Sequence, residues 1–232
     1  MEIIAEIGQN HNGDMELACK LIESAKKNGA DVVKFQIFDA DSTFGKDNNP
    51  WYDYNVQTQL TKEQTKFLFD ECCKHDIEFL ATPFDPERVL WLEELGVKRY
   101  KIASRSINDQ ELINDICKTG KPVIASLGMW DGNEFPNINT TAKVSYLYCI
   151  AKYPTELVDL NFNSVDFTKY DGFSDHTIGI TAPVVALSRG ANIIEKHFTL
   201  DKKFYGPDHS GSMVPDELQQ LHNYRMEIKS CL

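Results

Sequence analysis

Apolar positions recur along this chain in blocks that alternate between strand and helix spacing. Strand-like runs begin near Glu2, Asp31, Ile77, Lys98, Lys121, Lys143, Tyr170 and Ala191, eight in all. Helical spacing fills most of the gaps between them. Leu17, Ala18, Leu21, Ile22 and Ala25 make one apolar face, stopped by Asn28-Gly29. Thr61-Lys62-Glu63-Gln64 reads as a capping box ahead of Phe67 and Leu68. Asp85-Pro86 places a cap and a first-turn proline before Val89, Leu90 and Leu92, with Gly96 as the stop. Asn108 opens the next helix, with Leu112, Ile113 and Ile116 inward and Gly120 at its end. Thr177 to Arg189 and Asp216 to Lys229 carry the last two helices. Eight such units at an average spacing of roughly 27 residues predict a closed (β/α)8 TIM barrel rather than an open doubly wound sheet. No linker or low-complexity segment interrupts them, so residues 1–232 are expected to form one domain.

Two stretches break the rhythm. Phe38 to Leu60, with Lys46-Asp47-Asn48-Asn49-Pro50-Trp51-Tyr52, is too long for an ordinary connection and rich in turn formers and aromatics. Such insertions are usually lids or binding loops. The fifth helix, after Trp130, is expected to be stunted, because Pro136 to Thr141 is poor helix material.

Charge narrows the partners. A formal charge of −11 argues against nucleic acid or an anionic membrane surface. No apolar run is long enough to span a bilayer, and Met1-Glu2-Ile3-Ile4 enters a strand without a signal-peptide pattern. Cysteines at 19, 72, 73, 117, 149 and 231 have no C-x-x-C or regular spacing, so reduced thiols are expected. The expected location is the cytoplasm.

Candidate chemistry gathers at predicted strand ends, where barrel enzymes carry their sites. His176, in Phe173-Ser174-Asp175-His176-Thr177, and His197, in Glu195-Lys196-His197-Phe198-Thr199, each follow a β-type run. Asp208-His209 follows closely. Paired imidazoles with oxygen ligands suit a divalent transition metal. Other strand ends present Glu6, Lys34, Gln36, Thr82, Lys101, Ser104, Arg105, Ser126 and Tyr153. A lysine inside a barrel is costly unless an anion meets it. Lys34, Lys101 and Arg105, with several hydroxyls, therefore point to a phosphate- or carboxylate-bearing ligand. Glu6 reads equally as their counter-ion or as a group that orients or deprotonates a sugar hydroxyl.

The ordered motifs resemble the catalytic barrel of the N-acetylneuraminate (sialic acid) synthase family, which includes spore-coat polysaccharide synthases. The resemblance runs from Ile3 to about Leu221. It rests on Ala5-Glu6-Ile7-Gly8-Gln9-Asn10-His11-Asn12-Gly13, on Val33-Lys34-Phe35-Gln36 and on Ala81-Thr82-Pro83-Phe84. It continues through Tyr100-Lys101-Ile102-Ala103-Ser104, Tyr153-Pro154-Thr155, both histidine motifs and Gly206-Pro207-Asp208-His209.

The resemblance implies condensation of phosphoenolpyruvate with an N-acetylmannosamine-like or modified hexosamine. The product is a nine-carbon 2-keto-3-deoxy acid, and phosphate leaves by C–O cleavage. It implies a divalent metal on His176 and His197, Mn²⁺ foremost, with Mg²⁺ or Co²⁺ as alternatives. By motif, Lys34, Thr82, Lys101, Ser104, Ser126 and Ser174 are expected to hold phosphoenolpyruvate, supported by Gln36. Glu6, Tyr153 and Asp208 are expected to address the acceptor sugar. A homodimer is expected as well.

Three departures stand out. Ala103-Ser104-Arg105-Ser106 replaces the family's Gly-Ser-Gly-Glu, so Ser106 stands where an acid on the sugar is expected. Ala151 replaces a common polar group, and the chain is expected to lack the family's antifreeze-like carboxyl-terminal domain. Ile102-Ala103-Ser104-Arg105 also resembles the strand-four segment of 3-deoxy-ulosonate phosphate synthases, which implies that Arg105 binds phosphoenolpyruvate; the alternative is a surface ion pair at the rim. A phosphate-sugar synthase, a metal-dependent aldolase and a non-catalytic sugar- or phosphoenolpyruvate-binding subunit stay open as other functions.

Overall fold

The eight strand-like runs become eight parallel strands in a computed structural model that describes every residue from Met1 to Leu232. They are β1 (Glu2–Gly8), β2 (Val32–Ile37), β3 (Glu78–Pro83), β4 (Tyr100–Ile102), β5 (Val123–Ser126), β6 (Val144–Cys149), β7 (Gly172–Asp175) and β8 (Ile193–His197). The helices are α1 (Met15–Lys27), α2 (Ala40–Phe44), α3 (Tyr52–Thr58), α4 (Lys62–Lys74), α5 (Pro86–Leu95), α6 (Gln110–Lys118), α7 (Thr181–Ser188) and α8 (Pro215–Cys231). The hydrogen-bonded order β3-β2-β1-β8-β7-β6-β5-β4 leaves one seam, between β3 and β4. Arg99 crosses the lower end of that seam, pairing with Glu78 at 2.7 Å and Glu2 at 2.6 Å. The barrel is thus nearly closed.

Local chemistry sets most boundaries as expected. Thr61 and Gln64 form the reciprocal capping box of α4. Asp85 caps α5 ahead of Pro86, and Gly96 ends that helix in the left-handed region. Three boundaries differ. Asp109, not Asn108, caps α6, its carboxylate accepting from the Leu112 amide. α7 starts at Thr181 instead of Thr177, because the Thr177 amide and hydroxyl are held by Asp175. α8 begins one residue early, at Pro215.

No α-helix joins β5 to β6, in line with the expected stunting, and none joins β6 to β7 either. Pro154 and Asn161-Phe162-Asn163 permit only two 3-10 turns there, Leu157–Leu160 and Phe162–Ser164. The long excursion contains α2 and α3 and is docked at both ends. Phe38 and Phe44 pack against Phe84 at 6.2 and 6.4 Å, and the Tyr54 hydroxyl donates to the Gln9 carbonyl at 3.0 Å. All six cysteines are free. No helix is long and apolar enough to cross a membrane.

Period-two alternation builds the barrel interior in layers. The outward residues of each strand, such as Ile3, Ala5, Val33, Phe35, Ala81 and Ile102, join the core shared with the helices. Inward-facing Ile4, Val32, Leu80, Ile124, Leu147 and Ile193 close the floor as a separate apolar cluster. Two residues further along the same strands the inward positions turn polar: Glu6, Lys34, Thr82, Ser126 and Glu195, with Lys101 and Ser174 among them. That change of character between consecutive layers locates the site.

Candidate active site

A cavity of about 440 Å³ opens above the polar layer, at the carboxyl ends of the strands. Glu6, Lys34, Gln36, Lys101, Ser104, Arg105, Ser126, Tyr153, Ser174, His176, His197 and Asp208 all line it. Thr82 is the exception among the expected residues. It is fully buried within the polar layer, where its hydroxyl lies 3.3 Å from the Lys34 ammonium. The sequence reading passed over Gln9, Asp175, Glu195 and Lys196, which also line the cavity. Glu195 was legible, since Ile193, Glu195 and His197 share one face of β8 by simple alternation.

The lysines already have carboxylate partners. The Lys34 ammonium lies 3.3 Å from both Glu6 and Glu195, and the Lys101 ammonium lies 3.7 Å from Glu195. Lys101 also donates to the Ser126 hydroxyl at 2.7 Å, and Ser174 donates to Glu195 at 2.9 Å. Glu6 accepts from the Gln36 amide at 2.9 Å, so its counter-ion role is visible directly. Gly8 makes room for that contact. It has φ +53°, and a Cβ there would lie 3.1 Å from Glu6 Oε1 and 3.2 Å from Gln36 Nε2. The buried lysine charges are thus met by protein carboxylates as well, at the floor of the cavity an anion would enter. Lys34, Lys101, Arg105 and Lys196 are matched around the cavity by Glu6, Asp175, Glu195 and Asp208.

Electrostatics separate the two lysines. Burial alone drives Lys34 down, but Glu195 and Glu6 together outweigh it and raise its pKa. Lys101 is pushed down to about 8, chiefly by burial and further by Lys34, against a partial pull from Glu195. Lys101 in the free protein therefore loses its proton near pH 8, well below an ordinary lysine. Affinity for an anion beside it is full below that pH and falls as the pH rises through it. We expect the KM for an anionic substrate to climb above about pH 8 in initial-rate pH profiles, and Lys101→Met to flatten the climb. A wild-type KM constant from pH 7 to 10 would detach Lys101 from the anion.

The histidines stand on adjacent strands with ring centroids 6.1 Å apart. His176 Nδ1 lies 2.7 Å from the Ile150 carbonyl, an acceptor only, so the ring donates there and keeps the Nε2 lone pair free. Burial, then the neighbouring His197, push its pKa down to about 3, so it is neutral at physiological pH. His197 Nδ1 is buried without a hydrogen-bond partner, and the Asp208 carboxylate lies 3.9 Å from it. A neutral His176 with a free Nε2, beside a second imidazole with an orphaned nitrogen, fits a divalent ion. No further His, Cys, Asp or Glu completes a three-ligand group, so water or substrate has to fill the other positions.

Three positions at the rim have definite surroundings. His209 does not join the histidine pair; its ring is fully buried and bonded to Thr199 and Asn12. Ser106 is buried and does not line the cavity, so position 106 does not face a sugar there. Arg105 forms no surface ion pair. Its guanidinium carbon sits 4.6 Å from the Phe44 ring and 5.7 Å from the Phe84 ring, and Nη2 donates to the Thr43 carbonyl at 3.0 Å. It bridges the upper end of the β3–β4 seam to α2, with most of its donors uncommitted. Ala151 lines the cavity as an apolar wall.

Residues 21–232 match the profile of the NeuB family. The chain belongs to that family. It is 39% identical to the N,N'-diacetyllegionaminic acid synthase of Campylobacter jejuni, over 99% of this chain and 77% of that protein. It is 38% identical to the enzyme of the same name from Legionella pneumophila, over 94% of this chain and 69% of that protein. The fold matches the N-acetylneuraminic acid (sialic acid) synthetase of Leptospira borgpetersenii in complex with citrate. The TM-score is 0.93 at 32% identity, covering 99% of this chain and 84% of that one. Relatives in the family are sialic, legionaminic and pseudaminic acid synthases.

Proposed function

We propose that this protein condenses phosphoenolpyruvate with an aldose of the hexosamine class, giving a sialic acid-type 2-keto-3-deoxy acid and inorganic phosphate. The observation that carries the proposal is one cavity joining a buried lysine pair to two converging histidines, within this family. Lys34 and Lys101 take the anionic groups of phosphoenolpyruvate, with Ser104, Ser126 and Ser174 as hydroxyl donors, Gln36 in support and Thr82 bracing Lys34 within the polar layer. Glu6 and Glu195 keep the lysines charged until the substrate arrives. Arg105, free of any carboxylate, offers its fork to an anion at the rim.

His176 and His197 would hold a divalent metal, which when bound polarises the acceptor carbonyl as a Lewis acid. Asp208 and Tyr153, beside the histidines, orient the acceptor; the Tyr153 ring centroid is 4.0 Å from that of His176. Carbon 3 of the enolpyruvate attacks the acceptor carbonyl carbon, the enol π electrons form the new C–C bond, and the carbonyl π pair moves to its oxygen, which takes up a proton. Water adds to the resulting cation at carbon 2 and gives up a proton. The C–O bond to phosphate then breaks as the 2-keto group forms. The reaction consumes one water and releases one phosphate.

The test is a phosphate-release screen with phosphoenolpyruvate, Mn²⁺ and a panel of hexosamine derivatives, with and without a terminal phosphate. Release that needs both phosphoenolpyruvate and an unphosphorylated hexosamine is the expected outcome. Carbon–carbon cleavage without phosphate release would make the protein an aldolase, and ligand binding without turnover would make it a binding subunit.

A further inference from the structure

Beside the histidines lies a buried polar cluster for which the proposed chemistry has no use. His209, Thr199 and Ser212 are fully buried, and Asn10 is nearly so. His209 Nε2 lies 3.1 Å from Asn12 Oδ1, which only accepts and also receives the Tyr54 hydroxyl at 2.7 Å. The proton therefore sits on Nε2, and Nδ1 accepts from the Thr199 hydroxyl at 2.7 Å. Burial, which drives the His209 pKa down to about 4, agrees with a neutral ring. This side chain joins the turn after β1 to the segment that follows β8, and Asn12 extends the link to Tyr54 of helix α3. Gly206 shows how tightly they meet. A Cβ there would lie 2.6 Å from the Tyr54 hydroxyl oxygen and 2.9 Å from His209 Cδ2.

The neighbour of His209 in the chain is Asp208, whose carboxylate faces the unpartnered Nδ1 of His197 at 3.9 Å. The backbone of Asp208 is pinned too. Its carbonyl accepts from the Ser212 hydroxyl at 2.8 Å, and that hydroxyl accepts from the Asn10 amide at 3.0 Å. We propose that His209 is a positioning residue: it holds Asp208 beside His197, and so sets the orientation of that imidazole without touching a substrate. The proposal rests on the reading that His197 takes a metal, with Asp208 as the outer partner of its ring. Losing such an outer partner weakens metal affinity by about 10–100-fold.

The experiment titrates Mn²⁺ alone into the full chain by calorimetry and by electron paramagnetic resonance. Four variants are compared: Asp208→Asn, His209→Phe, Tyr54→Phe and, as a remote control, Leu68→Ala in the α4 core. His209→Phe keeps the ring shape, and both orphaned partners retain a second hydrogen bond, Asn12 with Tyr54 and Thr199 with the Asp201 carbonyl at 3.2 Å. The expected result is a Kd raised about tenfold or more in Asp208→Asn and His209→Phe, and by less in Tyr54→Phe. Leu68→Ala melts earlier yet keeps the wild-type Kd, so lost stability alone does not mimic the effect. Phosphoenolpyruvate binding without metal is unchanged in His209→Phe. Wild-type Mn²⁺ affinity in His209→Phe alongside weakened Asp208→Asn overturns the proposal and leaves the metal reading standing. If His209→Phe does not fold, Tyr54→Phe decides: an unshifted Kd there overturns the proposal. No Mn²⁺ binding by the wild type, or an unshifted Kd in Asp208→Asn, overturns the reading beneath it.

Discussion

His197→Ala is expected to fold as a barrel and to lose metal-dependent turnover by more than about 100-fold. The fold survives because the residue's structural contacts are made by its backbone. Its carbonyl accepts from the Met213 amide at 2.7 Å, and its place in β8 pairs with Glu6 of β1, neither of which needs the ring. The side chain is partly open to the cavity, so its removal leaves water-accessible space rather than a core void. Function does not survive, because only two histidines converge and each supplies about half of the protein donors. His176→Ala behaves alike, with an added loss of order where its ring donates to the Ile150 carbonyl. Few strong ligands also mean exchangeable metal: chelator abolishes phosphate release, and added Mn²⁺ restores it. Circular dichroism verifies folding and stopped-time phosphate release measures the loss. Full metal-dependent turnover in His197→Ala would remove the histidines from the metal.

Most of the fold was legible because two periodicities and a handful of caps carry it. Thr61 with Gln64, and Asp85 with Pro86, fix helix starts locally, so the sequence alone locates them. The Asn108 and Thr177 boundaries slipped for a different reason. Asp109 competes one residue away for the same orphan amides, and Thr177 is captured by Asp175 from the preceding strand. The missing helix after β6 follows the same lesson as the anticipated one after β5, with Pro154 and paired asparagines as its signal.

Within the site, strand register and the strand ends were both readable, and twelve of the thirteen expected residues reach one cavity. What alternation cannot tell is which partner meets a buried charge. Lys34 and Lys101 implied an anion, and nothing in their own strands reveals that Glu195, far along the sequence, meets both charges too. Position 106 was unreadable for a related reason. A tight 3-10 turn at Ser104–Ser106 turns Arg105 to the cavity and Ser106 into the interior, and three residues of sequence do not reveal which faces where.

The lysine pair gives the second large effect, and the two substitutions are expected to fail differently. Lys34 serves two buried carboxylates at 3.3 Å each, so Lys34→Met strips Glu6 and Glu195 of their shared partner. Breaking a buried pair on one side typically costs about 3–5 kcal/mol, because the remaining charge stays desolvated. Lys34→Met should therefore lower the urea midpoint markedly, and its loss of activity is mixed with loss of fold. Lys101 stands 3.7 Å from Glu195, which keeps Lys34 and the Ser174 hydroxyl when Lys101 is gone. Lys101→Met removes a charge whose own burial already disfavours it, so the barrel should tolerate the change far better. The loss then appears in binding. A charge-assisted hydrogen bond to the anion is worth roughly 1.5–3 kcal/mol, so the KM for phosphoenolpyruvate should rise by about tenfold or more. Urea melts and initial rates on both variants separate the two outcomes. Equal destabilisation by both substitutions, with unchanged phosphoenolpyruvate KM in Lys101→Met, would reduce the pair to a structural ion cluster.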